Sequence, residues 1–371
     1  MNEPAIEYAS IDAVQPPPRR GRYPLDRGAT ASAERPCWWA ACSAPPRKSH
    51  HGGRSAEDAH ECYRGRRQPD GDSQRSIAML KIRQTFHLTH MLKDLAEATS
   101  VYQRAFDAPI IPVGYHVGEN RDASFQTVSD TFIELFAPRD ARTSAPTSNG
   151  GRQIKRFGEG FVNSGWLVDN DIPEVVKQLE AQGLNVVYVA GGQSSFFVHP
   201  RQAFGIMLQV ASFHPRTDDP RNNPKGWAAY WSESHPLGIE RTNFVSFAVN
   251  DLDGAVKLLE LMTGGPTVHR GKSEGGRDAA YIWCENNMLE VLGGTSEDSE
   301  IGRAIPHPGA KIESCTFKVR SASSAARHLR SRGFRIVGNE SDGRVAIDPN
   351  DILGAVYIFS EFPVPGDPRD A

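Results

Sequence analysis

Two properties that mark large classes of protein are missing from this sequence of 371 residues. No stretch comes near the roughly 20 uncharged apolar residues that a membrane-spanning helix needs, so we expect a chain that does not cross a membrane. An excess of one charge is also missing, since 42 Lys and Arg stand against 45 Asp and Glu. Proteins that bind nucleic acid use clustered Lys and Arg against the phosphates. The balance of charge therefore argues against nucleic acid as a partner.

The first 78 residues lack the apolar side chains from which a core is built. They contain no Phe, and their branched aliphatic residues are Ile6, Ile11, Val14, Leu25 and Ile77. Because such a segment buries too little apolar surface to offset the entropy of ordering it, we predict a disordered Arg- and Pro-rich leader over 1–78. Met79 directly precedes the first core-like residues. Our hypothesis is that the native protein starts there.

We expect neither a secretory leader nor a cysteine framework. No apolar core of about 7–15 residues follows Met1, as a signal peptide would require. Three of the five cysteines, Cys37, Cys42 and Cys62, lie in the leader without the paired spacing of a zinc site. We interpret the other two, Cys284 and Cys315, as reduced thiols of the core, which predicts a cytoplasmic protein.

From Leu80 onward the sequence contains a unit that repeats four times, at a spacing of about 75 residues. Each unit opens with a strand-like run, turns near an acidic residue and enters an amphipathic helix; the opening strands are predicted at 86–92, 162–168, 244–250 and 314–320. Asp94 and Asp251 are suited to the N-cap position, where a carboxylate accepts backbone N–H bonds. Gly183 and Gly333 are suited to end helices. Three further strand-like runs follow each helix, so every unit is predicted to be βαβββ.

This order resembles the vicinal oxygen chelate superfamily, which includes glyoxalase I, methylmalonyl-CoA epimerase, extradiol dioxygenases and bleomycin-resistance proteins. The resemblance rests on the turn Val249-Asn250-Asp251-Leu252, on Glu134-Leu135 in a last strand, and on Phe197–Arg201 followed by Gly205–Gln209. It implies an α+β fold in which four βαβββ modules pair into two cup-shaped mixed β-sheet domains with helices outside. The implied domains are 79–213 and 239–363, joined by a Pro-rich linker over 214–238 and followed by a tail over 364–371.

The resemblance also implies where metal ligands would lie, on the first and last strand of each module. The positions carry over, module by module, to His87 and Glu134, Asn163 and Gln209, Phe244 and Glu290, and Ser314 and Ile358. An imidazole, a carboxylate and two amide oxygens could hold a divalent ion such as Zn, Ni, Mn or Fe. In that set Asn163 and Gln209 would be the weak ligands. The four positions of the second cup cannot form a comparable site, so that cup is predicted to be metal-free.

Other interpretations of these residues remain open. His87 could be a hydrogen-bonded core histidine, and Glu134 could be paired with a nearby Arg or Lys. His90 has the opposite strand parity to His87, which favours a packing role. The pattern places an apolar substrate pocket beside the polar groups, lined by Phe132, Phe136, Met207 and, near the mouth of the cup, His199. No charge cluster indicates a phosphate or CoA site.

Three functions follow from the resemblance. The first is a metal-dependent lyase or isomerase that acts on a small carbonyl or vicinal-oxygen substrate in the N-terminal cup, with Glu134 moving the proton. The second is an extradiol-type ring-cleavage dioxygenase, although the iron positions of that branch have become Phe244, Ser314 and Ile358. The third is a metal-free small-molecule binding protein of the bleomycin-resistance type. A homodimer is compatible with each, because paired modules also associate between chains in this superfamily.

Overall fold

The computed structural model describes residues 80–188, 194–212, 219–294, 301, 303 and 312–370. All of them belong to one compact unit, Trp38–Ala371. The predicted leader and its cysteines Cys37, Cys42 and Cys62 lie outside the described residues. The hypothesis that the native protein starts at Met79 therefore stays a prediction.

The first half of the described chain forms a mixed sheet. Its strands are β1 (Ile82–Met91), β2 (Ile110–His116), β3 (Arg121–Val128), β4 (Thr131–Pro138), β5 (Gly160–Val168), β6 (Val186–Tyr188), β7 (Ser195–Val198) and β8 (Leu208–Ala211). Within the described residues they are arranged in the order β2-β3-β4-β1-β5-β8-β7-β6. The opening strands β1 and β5 of two modules pair antiparallel at the centre, and each pairs in parallel with the last strand of its own module.

The second half repeats this arrangement. Its strands are β9 (Ile239–Val249), β10 (Thr267–Lys272), β11 (Asp278–Cys284), β12 (Asn287–Gly293), β13 (Ile312–Val319), β14 (Ile336–Val337), β15 (Arg344–Ile347) and β16 (Tyr357–Ser360). Their order, β10-β11-β12-β9-β13-β16-β15-β14, is that of the first sheet. The predicted α+β class and the four βαβββ modules are therefore confirmed.

The helices connect the strands, and their buried apolar side chains belong to the main core, except that Ile154 packs with Met91 and Phe136 on the other face of the first sheet. They are α1 (Leu95–Phe106), α2 (Asn149–Phe157), α3 (Ile172–Ala181), α4 (Pro224–Ala229), α5 (Leu252–Thr263) and α6 (Ala322–Ser331). As predicted, Asp94 caps α1 by accepting from Glu97 N at 3.0 Å, and Asp251 caps α5 by accepting from Gly254 N at 2.9 Å. Gly183 and Gly333 follow α3 and α6 with φ of +82° and +86°, a conformation that favours glycine.

The two sheets share a continuous apolar core, to which α1 contributes aromatic contacts. Phe106 on α1 packs edge-on against Tyr357 and Phe317 of the second sheet, with ring centroids 5.1 and 6.2 Å away. The Tyr102 hydroxyl lies 2.8 Å from that of Tyr357 and 2.6 Å from Nδ1 of His90. Nε2 of His90 lies 2.9 Å from the carbonyl oxygen of Leu353, so His90 has the packing role that strand parity predicts.

The described part of the predicted linker, 219–238, packs on the first sheet: Trp231 is fully buried, and Trp227 Nε1 donates to Ser129 O at 2.6 Å. Helix α2 was not predicted, because Gly150 and Gly151 are poor helix formers. Tertiary contacts require both glycines. A Cβ on Gly150 would lie 2.6 Å from Pro138, and a Cβ on Gly151 would lie 2.4 Å from Asp140.

No helix in the part of the chain that the structure describes is long and apolar enough to cross a membrane. The predicted domain boundaries, including the tail over 364–371, stay predictions, although the two sheets end close to them.

Candidate functional site

The structure brings together the four polar residues that the resemblance picks out in the first sheet. Nε2 of His87 lies 3.7 Å from Oε2 of Glu134 and 3.3 Å from Nδ2 of Asn163. Asn163 donates to Oε1 of Gln209 at 3.1 Å. This grouping follows from the sheet order, because β1 lies between β4 and β5 and β8 lies next to β5. We call the face of the first sheet that carries these four residues the N-terminal cup.

The carboxylate of Glu134 is already neutralised inside this cup. Oε1 lies 3.0 Å from Nη1 of Arg121, and the side chains of the pair are 9% and 14% exposed. Oε2 accepts a hydrogen bond from the Thr89 hydroxyl at 2.9 Å. Arg121 is in turn held by Glu119, whose carboxylate lies 2.6 Å from its Nε, and its guanidinium lies 4.5 Å over the ring of Phe136. The interpretation of Glu134 as an acid paired with Arg therefore agrees with the structure.

His87 is held as a neutral imidazole. Its burial lowers its pKa, and the positive charges of Arg121 and Arg221 act in the same direction, whereas Glu134 opposes them. The ring fits against β5 because residue 165 is glycine: a Cβ there would lie 2.6 Å from Cε1 of His87. His87 therefore acts in this cup as a hydrogen-bonding group without charge at neutral pH.

The residues predicted to line a substrate pocket are placed on either side of the polar cluster. Phe132 packs with Phe125, Leu167 and Ala211, and Phe136 packs with Met91, Ala141 and Ile154. Met207 is buried and directly precedes β8. His199 lies in the turn after β7, where its Nδ1 accepts from the backbone of Arg201 at 3.2 Å. Phe132 and Phe136 thus flank Glu134 along β4, whereas His199 is engaged in its own turn, and the substrate pocket stays a prediction.

Three polar side chains of the cup were not singled out from the sequence. They are Thr89, Arg121 and Ser195. The Ser195 hydroxyl accepts a hydrogen bond from Nε2 of Gln209 at 2.9 Å. Strand parity could have found Thr89, which is two residues after His87 and points to the same face. Strand parity could not have found the contact of Arg121 with Glu134. The residue directly opposite Glu134 in the strand register is Phe125, and the long side chain of Arg121 reaches along the cup to the carboxylate.

The donor set of the N-terminal cup does not fit a resident divalent ion. It has a single carboxylate, and that carboxylate is in an ion pair with Arg121 and accepts from Thr89. A divalent ion on Glu134 would share it with a guanidinium, and the repulsion between the two cations would oppose binding. Among the described residues no group of three or more His, Cys, Asp or Glu side chains is placed to hold a metal.

The equivalent face of the second sheet, the C-terminal cup, has a different chemistry. Phe244 and Ile358 occupy two of the family's ligand positions and are buried in apolar clusters. Glu290 accepts hydrogen bonds from the hydroxyls of Tyr281 at 2.7 Å and Ser246 at 2.5 Å, and Ser314 donates to Ser246 at 2.9 Å. This donor set, with one carboxyl group and hydroxyls, does not fit a divalent ion either.

The cysteines of the sheets are thiols of the core. Cys284 and Cys315 are buried and unpaired in disulfides. Burial raises the pKa of Cys284 to about 12 and that of Cys315 well above its ordinary value. Both are therefore protonated and unreactive at neutral pH.

Comparison with known proteins is consistent with this geometry. Residues 87–243 match a family model described as a glyoxalase-like domain. A 4-hydroxyphenylpyruvate dioxygenase from Pseudomonas aeruginosa is 25% identical over 130 residues, which are 34% of this chain and 35% of that protein. The match therefore spans about a third of the length of that curated relative.

Two solved structures share the arrangement of both sheets. A variant of 4-hydroxymandelate synthase from Streptomyces coelicolor superposes with a TM-score of 0.53 at 12% identity, over 77% of this chain and 94% of that chain. A 2,3-dioxygenase from Pseudomonas sp. KL28 gives a TM-score of 0.51 at 13% identity, over 79% and 96%. At these identities the likeness concerns the fold alone. The domain match over 87–243 and the shared fold confirm the resemblance to the vicinal oxygen chelate superfamily that the sequence predicts.

Proposed function

We propose that this chain is a small-molecule binding protein whose N-terminal cup holds a ligand with neutral oxygen groups and without a resident divalent ion. The observation that carries the proposal is the ion pair between Arg121 and Glu134, which neutralises the only carboxylate at the family's ligand positions in this cup. The polar groups that are left to bind a ligand are the neutral imidazole of His87 and the side-chain amides of Asn163 and Gln209. These groups recognise hydroxyl and carbonyl oxygens rather than charged molecules.

Asn163 is the residue that we assign to direct contact with the ligand. Its side chain is buried, and its Oδ1 has no hydrogen-bond partner among the described residues. A buried polar atom without a partner costs about 1–3 kcal/mol, so a ligand hydroxyl that donates to Oδ1 would recover that cost. Gln209 and Ser195 orient the amide from behind. Phe132 and Phe136 supply the apolar walls on either side.

The metal-dependent functions stay predictions. A lyase or isomerase would need an ion on His87 and Glu134, and Glu134 would then have to leave Arg121 or share its charge. A dioxygenase is the second candidate, because a 2,3-dioxygenase shares the fold and a 4-hydroxyphenylpyruvate dioxygenase matches about a third of the chain. The cytoplasmic location and the homodimer also stay predictions.

Metal analysis with an Arg121→Met variant tests the proposal. Wild-type protein purified without chelator should contain far less than one equivalent of Zn, Ni, Mn or Fe. Arg121→Met frees Glu134, so Mn or Zn should raise the melting temperature of this variant but not that of the wild type. Arg139→Met is the matched control, since Arg139 forms an exposed ion pair with Asp122 on the same sheet.

The opposite result would identify a metalloprotein. Near-stoichiometric metal in the wild type that His87→Ala and Glu134→Gln remove would overturn the metal-free proposal. Zn, Ni or Mn would then favour the lyase or isomerase, and Fe with oxygen uptake would favour the dioxygenase. Loss of the metal in Glu290→Gln instead would place the site in the C-terminal cup.

A further inference from the structure

Each cup contains an arginine at the same place in its sheet, but the two arginines pair with different carboxylates. Each lies four residues before the residue that is opposite the glutamate of the last strand. These opposite pairs, one in each cup, are Phe125 with Glu134 and Tyr281 with Glu290. The equivalent arginines are therefore Arg121 and Arg277. Arg121 pairs with the glutamate of its last strand, whereas Arg277 pairs with Glu313 on β13.

Glu313 binds Arg277 through both of its carboxylate oxygens. Nη1 of Arg277 donates to Oε1 of Glu313 at 3.2 Å, and Nη2 donates to Oε2. The two side chains are 6% and 3% exposed. A buried arginine that is held in this bidentate way forms a stronger pair than one held by a single contact. The direct partners of Glu290 are consequently the hydroxyls of Tyr281 and Ser246.

Val162 occupies the place of Glu313 in the N-terminal cup. The register between β1 and β5 is interrupted at Val162, which directly precedes Asn163. The register between β9 and β13 is interrupted in the same way at Glu313, which directly precedes Ser314. Asn163 and Ser314 are equivalent positions of the two cups, so Val162 and Glu313 are equivalent bulged residues. A bulge of this kind changes the direction of a side chain.

The side chain of Val162 packs against the apolar cluster on which Arg121 rests. This cluster contains Phe136, and the Arg121 guanidinium lies 4.5 Å over the Phe136 ring. Glu119 holds Nε of Arg121, so the Nη groups are the ones that pair inside the cup. Valine offers them no acceptor, and Nη1 lies 3.0 Å from Oε1 of Glu134.

We propose that the bulged residue, Val162 in one cup and Glu313 in the other, determines whether the glutamate of the last strand is available to a ligand. A carboxylate at this position takes the arginine of the cup, whereas valine leaves that arginine on the glutamate. Val162 is therefore a specificity-determining residue of the N-terminal cup, although it has no polar group of its own. The inference rests on the proposed function in one respect, namely that the pair of Arg121 with Glu134 excludes a divalent ion.

A double-mutant cycle between Arg121 and Glu134 tests this selection without a ligand or a metal. Urea unfolding of Arg121→Met, Glu134→Gln and the double variant gives the coupling of the pair as the departure of their effects from additivity. The wild type should show coupling, and a Val162→Glu background should lose it, because the bidentate pair takes the arginine. Val162→Gln is the matched control, since it has the same length without the charge, and should keep the coupling.

The reverse change in the C-terminal cup gives a second measurement. It is made in Tyr281→Phe protein, which lacks the hydroxyl that donates to Oε1 of Glu290 and so resembles the N-terminal cup at this position. Arg277 and Glu290 should be uncoupled there as long as Glu313 is present. Adding Glu313→Gln should couple them, because Glu290 is then the carboxylate that remains for the arginine. Absence of coupling in that protein would overturn the inference.

Mn²⁺ binding, followed by the EPR signal of the free ion, measures the effect on specificity. Val162→Glu should bind about one equivalent of Mn²⁺ on the freed Glu134 and its neighbours, and Val162→Gln should not. Coupling of Arg121 with Glu134 that persists in Val162→Glu would overturn the inference even if Mn²⁺ binds, since the introduced carboxylate would then itself be the ligand. Lost coupling without Mn²⁺ binding, while Arg121→Met binds the ion, would overturn it as well.

The same data separate this inference from the proposed function. Mn²⁺ bound to the wild-type protein would contradict the metal-free function. Loss of the coupling in Val162→Glu would still support the role of the bulged residue, because the cycle depends on the ion pair alone.

Discussion

At the scale of single residues, Glu134 and Glu290 occupy equivalent positions on β4 and β12 but are neutralised differently. Glu134 lies 3.0 Å from the guanidinium of Arg121 and accepts a hydrogen bond from the Thr89 hydroxyl. Glu290 is 4% exposed, and its direct partners are the hydroxyls of Tyr281 and Ser246. Burial raises the pKa of Glu290 to about 7, since the two hydroxyl donors and Arg344 offset only part of the desolvation and Glu274 adds to it. One cup therefore carries a fixed ion pair and the other a carboxyl group that titrates near neutrality.

The raised pKa of Glu290 predicts that the free energy of unfolding falls as the pH rises. The folded state keeps the proton up to about pH 7, whereas the unfolded chain loses it near its ordinary value of 4.5. The folded protein therefore binds more protons in this window, and stability is lost between about pH 4.5 and 7.5, by roughly 3 kcal/mol. Urea unfolding at a series of pH values measures this slope.

Glu290→Gln should flatten that slope, because an amide keeps hydrogen bonds to Tyr281 and Ser246 and does not titrate. Glu180→Gln, at an exposed position on α3, serves as control and should leave the slope as it is in the wild type. A slope that persists unchanged in Glu290→Gln would show that another group is responsible.

At the scale of the elements, the pairing of β1 with β5 determines the geometry of the N-terminal cup. His87 is opposite Gly165 and Thr89 is opposite Asn163 in the register of these two strands. Parity and the spacing of motifs indicated that His87, Glu134, Asn163 and Gln209 share one face, and they do. Neither parity nor motif spacing could indicate that Gly165 makes room for the His87 ring, because that contact depends on which residue of β5 is paired with His87 in the strand register.

Gly165→Ala should displace His87 and destabilise the protein. The added Cβ would lie 2.6 Å from Cε1 of a ring that is itself buried, and overpacking of this kind costs about 1–3 kcal/mol. Gly293→Ala is the control, because a Cβ on that β12 residue would meet its nearest neighbour at 3.6 Å. Denaturant unfolding of both variants measures the difference. Equal stabilities would mean that the His87 ring moves aside freely.

At the scale of the whole molecule, the two sheets are joined by a common core. Phe106 and Tyr102 on α1 contact Phe317 and Tyr357 of the second sheet. The described part of the predicted linker also packs on the first sheet through Trp227. Two units of similar size that share buried aromatic residues in this way are expected to unfold together.

We therefore predict that both sheets unfold in one transition. In protein labelled with 5-fluorotryptophan, the fluorine NMR signals of Trp166 in the first sheet and of Trp283 in the second, assigned with Trp166→Phe and Trp283→Phe proteins, should report the same urea midpoint. Phe106→Ala should lower both midpoints together, by about 3–5 kcal/mol of stability. Separate midpoints, or an effect of Phe106→Ala on one sheet alone, would show that the halves are independent.

The sequence by itself determined the fold and the location of the candidate residues. Repeating strand and helix patterns, the caps at Asp94 and Asp251, and the family's motifs were sufficient, because periodicity and local hydrogen bonding act over short distances along the chain. Only the tertiary structure decided the chemistry of the two cups. The ion pair of Glu134 with Arg121 and the hydrogen bonds of Glu290 with Tyr281 and Ser246 join side chains on different strands, so whether a buried carboxyl group lies beside a cation or beside hydroxyls depends on contacts in space.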